Sequence, residues 1–341
     1  MKISAVIPTR NRSSNLKNVL NSLLTQTRPV DEILLIDSSD RKDSIDLLKK
    51  EYASLPIIWI DTTASVCLQR NIGIQAASGD WIFLCDDDIE LNEDYLEKLE
   101  TYTKENVTCG ALAGRLLQYE GNDWTDQYPV KDFKELIWKF IFQLSIWGDI
   151  NLVKTSAFVR PLYFLIKKFY TRRGNGFTLA GWPLITNWNG DSFQTSVYSL
   201  GANLIKKEWL LHSPYDEALD PNGIGDNYGV ALGFPGRNPI HVLSSTFAYH
   251  HRAKENRLDA TLIYYRRILA LHYFIKQNKK FPSFTAAAFI WSLFGNAVLF
   301  FLKGNNKMYK ITFKAMMVIM RTKNPYWIGF VKNEKIVQPY Y

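Results

Sequence analysis

The stretch Ser78-Gly79-Asp80-Trp81-Ile82-Phe83-Leu84-Cys85-Asp86-Asp87-Asp88 decides the fold of this chain. Its apolar middle predicts a buried strand over 81–85. Three consecutive carboxylates at a strand end repel one another unless a cation sits among them. Side chains at i and i+2 of an extended segment face the same way, so Asp86 and Asp88 can converge on one ion. Oxygen ligands favour Mg²⁺ or Mn²⁺. The alternative is an acidic turn that caps a helix near Asn92.

Strands and helices alternate on the N-terminal side of this stretch. Apolar runs predict strands over 2–7, 32–36 and 57–60, and helical spacing predicts helices from Ser13 or Ser14 and over 43–52 and 66–77. This alternation is typical of a mainly parallel α/β sheet with helices on both faces. Ligands of such sheets bind at the carboxyl ends of the strands. Polar residues follow the first, second and fourth strands (Thr9-Arg10-Asn11, Asp37-Ser38 and the Asp86 group), which indicates a nucleotide site.

The later part of the chain has a different character. A helix over 92–104 and strands over 108–117 and 242–249 continue the α/β pattern. Residues 131–173 are aromatic, apolar and rich in Lys and Arg, which is typical of interfacial amphipathic helices but also of a helical insertion packed over the sheet. Residues 284–302 are uncharged and almost long enough to cross a bilayer. We expect the helical tail to associate with an anionic membrane; a soluble buried helix pair is the alternative.

The net charge and the cysteine content of the chain limit the classes of protein to which it can belong. The net charge is +8, but no zinc-finger or RNA-binding signature accompanies it, so we expect no nucleic-acid partner. The three cysteines, Cys67, Cys85 and Cys109, lack metal-site spacing and predict buried thiols in a reducing compartment. The first strand begins almost at the N-terminus, so we expect no signal peptide and a location on the cytoplasmic side of the cell membrane, peripheral or tail-anchored.

Four blocks in order give the chain a family resemblance. They are residues 5–12 (AVIPTRNR), 33–39 (ILLIDSS), 70–73 (RNIG) and 78–88 (SGDWIFLCDDD). Together they resemble the family 2 glycosyltransferases, which have the GT-A fold. A looser resemblance continues through residues 201–203, 215–217 and 223–232. The family resemblance implies that the chain transfers a sugar from a nucleotide sugar to a glycan or lipid-linked acceptor, with UDP- or dTDP-sugars favoured as donors. It also implies that the anomeric configuration is inverted and that Mn²⁺ or Mg²⁺ is the cofactor.

The resemblance also implies roles for individual residues on the donor side. It assigns donor binding to seven residues, namely Pro8, Thr9, Arg10, Asp37, Arg70, Asp86 and Asp87. A carboxylate at Asp37 suits the imide N–H of a pyrimidine, although a simple strand-end turn is the alternative. A guanidinium at Arg70 suits phosphate oxygens, although a solvated helix-surface arginine is the alternative. Asp88 is implied to bind the metal that bridges the diphosphate.

Two later positions complete the predicted chemistry. Asp226 is the candidate catalytic base, although Asp226-Asn227 stands where the family usually has Glu-Asp, and a helix N-cap is the alternative. A histidine at about 250 is implied to complete the metal site. Adjacent side chains on a strand face opposite ways, so only one of His250 and His251 can do so, and we favour His251.

Acceptor binding is assigned to Gly201, Asn203 and Trp182, although core packing is the usual fate of a tryptophan. We expect a nucleotide-sugar half over 1–120, an acceptor half over 121–260 with a helical insertion at about 131–175, and a tail over 261–341. Two rival functions are a sugar-1-phosphate nucleotidyltransferase, which needs a glycine-rich loop after the first strand, and a catalytically degenerate sugar-nucleotide-binding membrane protein. No GxGxxG follows a predicted strand, which excludes a dinucleotide oxidoreductase.

Overall fold

The computed structural model describes residues 1–253 and 258–340, and the chain divides into two compact units. Unit 1 comprises residues 1–126 and 189–257, and unit 2 comprises residues 127–188 and 258–341. This grouping differs from the three consecutive segments that the sequence suggested. Residues 127–188 join the tail because apolar side chains from both segments pack together, as where the ring of Phe142 lies 4.8 Å from that of Trp291.

Twelve strands are present in the described residues. In chain order they are β1 Ile3–Thr9, β2 Glu32–Asp37, β3 Ile57–Asp61, β4 Trp81–Cys85, β5 Ile89–Leu91, β6 Ala111–Glu120, β7 Asp123–Thr125, β8 Ile146–Trp147, β9 Leu184–Ile185, β10 Ser192–Thr195, β11 Ala202–Lys206 and β12 Ile240–His250.

Twelve α-helices lie within residues 1–253 and 258–340. They are α1 Ser13–Leu24, α2 Asp43–Glu51, α3 Val66–Ala76, α4 Tyr95–Glu105, α5 Phe133–Ile141, α6 Arg160–Arg173, α7 Lys207–His212, α8 Asp226–Gly233, α9 Ala260–Gln277, α10 Thr285–Leu302, α11 Asn306–Met320 and α12 Pro325–Lys332. Short 3₁₀ helices occupy Ile150–Leu152, Ala157–Val159 and Glu217–Leu219.

Unit 1 is built on one mixed sheet with the order β10-β12-β6-β11-β4-β1-β2-β3. β3, β2, β1 and β4 are parallel, β11 runs antiparallel between β4 and β6, and β12 runs parallel to β6. Helix α3 packs closely on this sheet, because a Cβ at Gly73 would collide with the side chain of Val6. The predicted GT-A-like α/β fold, mainly parallel with flanking helices, is confirmed.

Unit 2 is mainly helical. Its insertion has an apolar core that includes Leu136, Ile146, Ile166, Tyr170 and Leu184. The tail contributes α9 to α12, so its predicted helical character is confirmed. By length and composition, one helix within the described residues, α10, is apolar enough to cross a membrane, and a third of its apolar stretch is buried in the protein.

The sequence missed some short strands of unit 1. Residues 92–104 were predicted as a helix, but α4 begins only at Tyr95 and β5 precedes it. β5 has three residues and pairs with β12, more than 150 residues later in the chain. Such a strand is stabilised by its partner, so a local pattern carries little sign of it.

Candidate active site

The carboxyl ends of β1, β2 and β4 meet at one edge of the sheet, as predicted. Thr9, at the end of β1, lies beside Asp37 at the end of β2. The Thr9 hydroxyl donates to the carboxylate of Asp87, which follows β4, with an oxygen–oxygen distance of 2.7 Å. The polar groups that the sequence placed after three separate strands therefore lie in one region of unit 1.

Asp86, Asp88 and His250 form a cluster that can hold a metal ion. Each offers one ligand atom, and these atoms lie within 4.8 Å of one another. Pairing of β5 with the end of β12 places His250 opposite Ile89, which brings its imidazole back to the residues that follow β4. Two carboxylates and an imidazole make a mixed oxygen–nitrogen donor set that Mn²⁺ and Mg²⁺ tolerate. The donor set therefore fits a divalent cation.

The surroundings of Asp88 keep its carboxylate ionised. Burial alone would raise its pKa, but the hydrogen bonds from His250 Nε2, at 3.2 Å, and from the Ala253 backbone N–H, at 2.8 Å, lower the pKa of Asp88 to about 2. At neutral pH it is a negatively charged oxygen ligand inside a largely buried site. Nδ1 of His250 has no hydrogen-bond partner among the described residues.

The structure corrects the choice between the two histidines. Nε2 of His251 lies 2.8 Å from Glu90, on the other side of the strand, and its ring contacts Trp124. Alternation along β12 was the correct principle, and one imidazole does reach the carboxylates, but that imidazole belongs to His250. The prediction chose the wrong histidine because the register of β12 is set by its pairing with β5, and the sequence did not reveal that strand.

Arg70 joins the metal-site carboxylates to the candidate base. Its guanidinium donates to Asp86, at 2.7 Å, and to Asp226. The aromatic face of Tyr215 covers it, with 4.9 Å from guanidinium carbon to ring centroid. Although burial disfavours its charge, Tyr215 and the two carboxylates raise the pKa of Arg70 well above its ordinary value. It is a buried, permanently charged bridge and not a solvated surface arginine.

Asp226 is the first residue of α8 and follows the N-cap position, which Gly225 occupies, so Asp226 is not the helix cap that was the alternative to a catalytic base. Gly225 precedes it in a left-handed conformation (φ 98°), and one carboxylate oxygen of Asp226 accepts from the Asn227 N–H at 2.7 Å. The other oxygen accepts from Arg70. Burial raises the pKa of Asp226 to about 6, against the lowering effect of Arg70. A carboxylate with this pKa can take up a proton near neutral pH.

The predicted donor-side residues lie around the ends of β1 and β2. Asp37 is fully buried; it accepts from the Ser39 N–H, forming the strand-end turn that was the alternative, and from Lys42 Nζ at 2.6 Å. Arg10 pairs with Asp40 at 3.0 Å and is half-exposed. Pro8 is buried within β1. The structure thus brings these residues to the site edge, and their contact with a donor stays a prediction.

Asp87 has an internal task that the sequence did not show. Both of its oxygens are occupied, by Thr9 and by Arg12 Nη1, the latter at 2.8 Å. Burial raises the pKa of Asp87 to about 6, although Arg12 favours the ionised form. Arg12 also lies 3.9 Å from Asp88. Asp87 therefore ties the turn after β1 to the turn after β4, and its contact with a donor stays a prediction.

The three predicted acceptor residues belong to different units, Gly201 and Asn203 to unit 1 and Trp182 to unit 2. The carbonyl of Gly201 accepts from the Asp86 N–H at 2.8 Å, and a Cβ at Gly201 would collide with the Asp86 carboxylate, so this glycine shapes the metal site. Asn203 is buried within β11. Trp182 belongs to unit 2, where its indole donates to Ser292 and stacks on Phe289. Asn203 and Trp182 are thus packed in the interior of their own units, and a role in acceptor binding stays a prediction.

Two supporting residues carried no signal in the sequence. The Gln69 amide donates to the carbonyls of Thr9 and Ile36, joining the ends of β1 and β2 to α3. The Asp220 carboxylate accepts from the Cys67 and Leu68 N–H groups at the start of α3. Both act between elements far apart in the chain, so no local pattern announces them. Together they fix the helix that carries Arg70.

Comparison with known proteins agrees with this geometry. The family model for Glycosyl transferase family 2 matches residues 4–159. An uncharacterised glycosyltransferase of Bacillus subtilis is 36% identical over 134 residues, which are 38% of this chain and 48% of that protein. The poly(ribitol-phosphate) β-N-acetylglucosaminyltransferase TarP of Staphylococcus aureus is 30% identical over 110 residues, which are 31% of this chain and 34% of that protein. The chain thus spans half or less of these relatives.

The fold extends beyond the matched sequence. The crystal structure of S. aureus TarS residues 1–349 in complex with UDP-GlcNAc is similar with a TM-score of 0.53 at 13% identity, over 98% of this chain and 93% of that one. At this identity the likeness establishes the fold alone.

Proposed function

Because the family model for Glycosyl transferase family 2 matches residues 4–159, we propose that this chain transfers a sugar from a nucleotide-diphosphate sugar to a hydroxyl of a glycan or lipid-linked acceptor. The observation that carries the proposal is the chain of contacts from His250 and Asp88 through Asp86 and Arg70 to Asp226. It sets a cation site beside a buried carboxylate of raised pKa. This is the arrangement that transfer away from a diphosphate needs.

The donor is a nucleoside-diphosphate sugar, with UDP- or dTDP-sugars favoured. Asp37, at the end of β2, is placed to accept from a pyrimidine imide N–H when Lys42 gives way. Arg70 is placed near the diphosphate, where its guanidinium pairs with phosphate oxygens. The crystallisation of the similarly folded TarS with UDP-GlcNAc supports a uridine donor.

The transfer is an inverting displacement. The acceptor oxygen forms a bond to the anomeric carbon while the bond from that carbon to the diphosphate oxygen breaks, and the acceptor proton passes to Asp226. Because Asp226 is buried and bonded to Arg70, its position is fixed before the acceptor arrives. Arg70 also places positive charge where the leaving diphosphate develops negative charge.

Asp86, Asp88 and His250 are the residues that would hold the cofactor, Mn²⁺ or Mg²⁺. When bound, a divalent cation neutralises charge on the departing diphosphate. Two carboxylates would provide most of the affinity for the ion, and His250 would add a nitrogen ligand.

The biological setting is cell-surface polysaccharide synthesis at the cytoplasmic leaflet of the cell membrane. The matched S. aureus relative is named for transfer to poly(ribitol-phosphate), which supports a role of this kind. Lipid-linked and growing polymer acceptors would be met at that leaflet.

The test is a panel of nucleotide sugars incubated with the chain and Mn²⁺, with release of nucleoside diphosphate as the measured product. We expect slow hydrolysis of one or a few UDP- or dTDP-sugars, reduced about 10²- to 10⁴-fold in Asp226→Asn. Equal turnover in the parent and in Asp88→Ala contradicts the metal-dependent mechanism. Formation of nucleotide sugar and pyrophosphate from a nucleoside triphosphate and a sugar 1-phosphate identifies the rival nucleotidyltransferase. Absence of turnover with every donor, despite donor binding, identifies the degenerate binding protein.

A further inference from the structure

The two units of this chain carry opposite charge. Unit 1 has 19 Lys and Arg residues against 28 Asp and Glu residues, whereas unit 2 has 22 against 5. No acidic residue occurs between Asp259 and Glu334, a stretch that contains twelve Lys and Arg residues. The net charge of +8 therefore hides an acidic unit and a strongly basic one. Charge segregated in this way indicates that unit 2 meets an anionic partner.

The outer side of α10 carries a continuous apolar stripe. Trp291, Phe294, Phe301 and Leu302 follow helical spacing and expose 47%, 45%, 61% and 68% of their surface. The rings of Trp291 and Phe294 stack at 5.7 Å. Scattered exposed apolar residues are normal on a protein surface, but large ones aligned along one helix face indicate a surface that another phase or molecule covers.

Basic and aromatic residues of α11 lie alongside this stripe. The ring of Tyr309 lies 5.6 Å from that of Phe301, and Phe313 follows Tyr309 one turn later. Between and beyond these rings Lys310 and Lys314 are exposed. Apolar rings bordered by lysines, without acidic neighbours in the sequence, match the boundary between acyl chains and anionic headgroups.

The way α10 packs decides how it meets a bilayer. Its inner side, with Phe289, Ser292 and Leu293, is buried within unit 2. α10 packs along α11, so the two helices would lie at the same depth relative to a bilayer surface. Lys310 and Lys314 sit in the middle of α11 and are exposed, which places them among headgroups and not in hydrocarbon. An α10 that spans the membrane would carry these lysines with it, so the helix lies in the plane of the surface.

We propose that unit 2 docks on the surface of an anionic lipid bilayer through this docking face. The docking face consists of Trp291, Phe294, Phe301, Leu302, Phe313, Lys310 and Lys314. This docking would locate the proposed transferase at a membrane, but the docking proposal does not depend on the chemistry of the proposed transfer. A second copy of the chain is a poor occupant, because two strongly basic surfaces would face each other. A free polyanion would need the lysines but not the exposed rings.

The experiment is co-sedimentation of the full chain with vesicles of phosphatidylcholine alone or of phosphatidylcholine with 30 mol% phosphatidylglycerol, at 50 and 500 mM NaCl. We expect binding to the anionic vesicles at low salt, with affinity lowered about tenfold or more by 500 mM NaCl, since surface charge is then screened. Release by salt is the result for a helix that lies on the surface. If the fraction of the chain that sediments with the anionic vesicles is the same at 50 and 500 mM NaCl, in-plane docking is overturned.

Two paired variants separate charge from apolar burial. Lys310→Glu with Lys314→Glu, and Phe301→Ser with Leu302→Ser, should each weaken vesicle binding about tenfold or more. Leu47→Ser, an equally exposed apolar position in α2 of unit 1, is the matched control and should bind like the parent. Loss of binding in the lysine pair alone means a polyanion site and overturns the proposal. Self-association is the remaining alternative. It replaces membrane docking if the parent does not bind vesicles and light scattering shows a dimer that the Phe301→Ser, Leu302→Ser variant no longer forms.

Nucleotide-sugar hydrolysis in the absence of vesicles serves as the second readout. Both paired variants should keep the activity of the parent, because their positions lie outside unit 1. Failure of docking is thereby distinguished from failure of the proposed function.

Discussion

The guanidinium of Arg70 donates to the carboxylate of Asp226 while its other amino group holds Asp86. One buried cation thus fixes both the candidate base and a candidate metal ligand. Both carboxylates bind the same guanidinium, so removing either one changes how Arg70 holds the other, and the two groups are expected to behave as a unit in mutational tests.

The pH dependence of turnover follows from this pairing. Burial raises the pKa of Asp226 to about 6, and the base acts only when ionised, so activity should be full above about pH 7 and fall tenfold per pH unit below about pH 6. Arg70→Gln removes a cation that favours the ionised form, so the inflection should move to higher pH. The measurement is nucleoside diphosphate release between pH 5 and 8. A flat profile over that range contradicts a catalytic role for Asp226.

Gly201 gives a test that adds no charge. Its Cβ would collide with the Asp86 carboxylate, so Gly201→Ala should displace that carboxylate and reduce activity about tenfold or more, with the KM for the donor raised. Asp86→Asn should show a loss of similar size, and the circular dichroism of Gly201→Ala should match that of the parent. Normal turnover in Gly201→Ala would show that the position of Asp86 is unimportant.

The stability of unit 2 should depend on His272. Burial lowers the pKa of His272 to about 4, and its Nδ1 accepts from the Asn324 amide at 3.0 Å, so the folded state holds the neutral imidazole. The unfolded chain binds the proton near pH 6.5, so stability is complete above that pH and is lost as the pH falls towards 4. Between pH 7 and 5 the loss should be about 2 kcal/mol.

Urea unfolding at pH 7 and pH 5 measures this loss. The variant His272→Gln cannot bind the proton, so its stability should change less between the two pH values than that of the parent. An identical change in both proteins assigns the pH dependence to other groups.

The sequence predicted the parallel half of the sheet well because each of its elements carries a local pattern. β1 to β4 are apolar runs, the helices between them have helical spacing, and the strand-end residues meet because parallel strands align their carboxyl ends. This reasoning and the family resemblance singled out Asp86, Asp88, Arg70 and Asp226, and the structure brings these four residues together.

Long-range pairing limited the prediction elsewhere. The identity of the metal-site histidine depends on the register of β12 against β5, and the burial of Trp182 depends on α10, more than 100 residues later. The internal use of Asp87 depends on Arg12, which no spacing rule connects to it. Residues 127–188 were predicted as an insertion, but their packing with residues 258–341 could not be read from periodicity.

The most direct test of the account is a Mn²⁺ titration, followed by electron paramagnetic resonance, of the parent and three variants in the presence of UDP. Asp88→Asn and His250→Gln should each lower the affinity for Mn²⁺ about tenfold or more, since each removes a ligand. His251→Gln, one residue away and paired with Glu90, should bind like the parent. Equal Mn²⁺ affinity in all four proteins, or a loss confined to His251→Gln, would contradict the central claim that Asp86, Asp88 and His250 hold the ion.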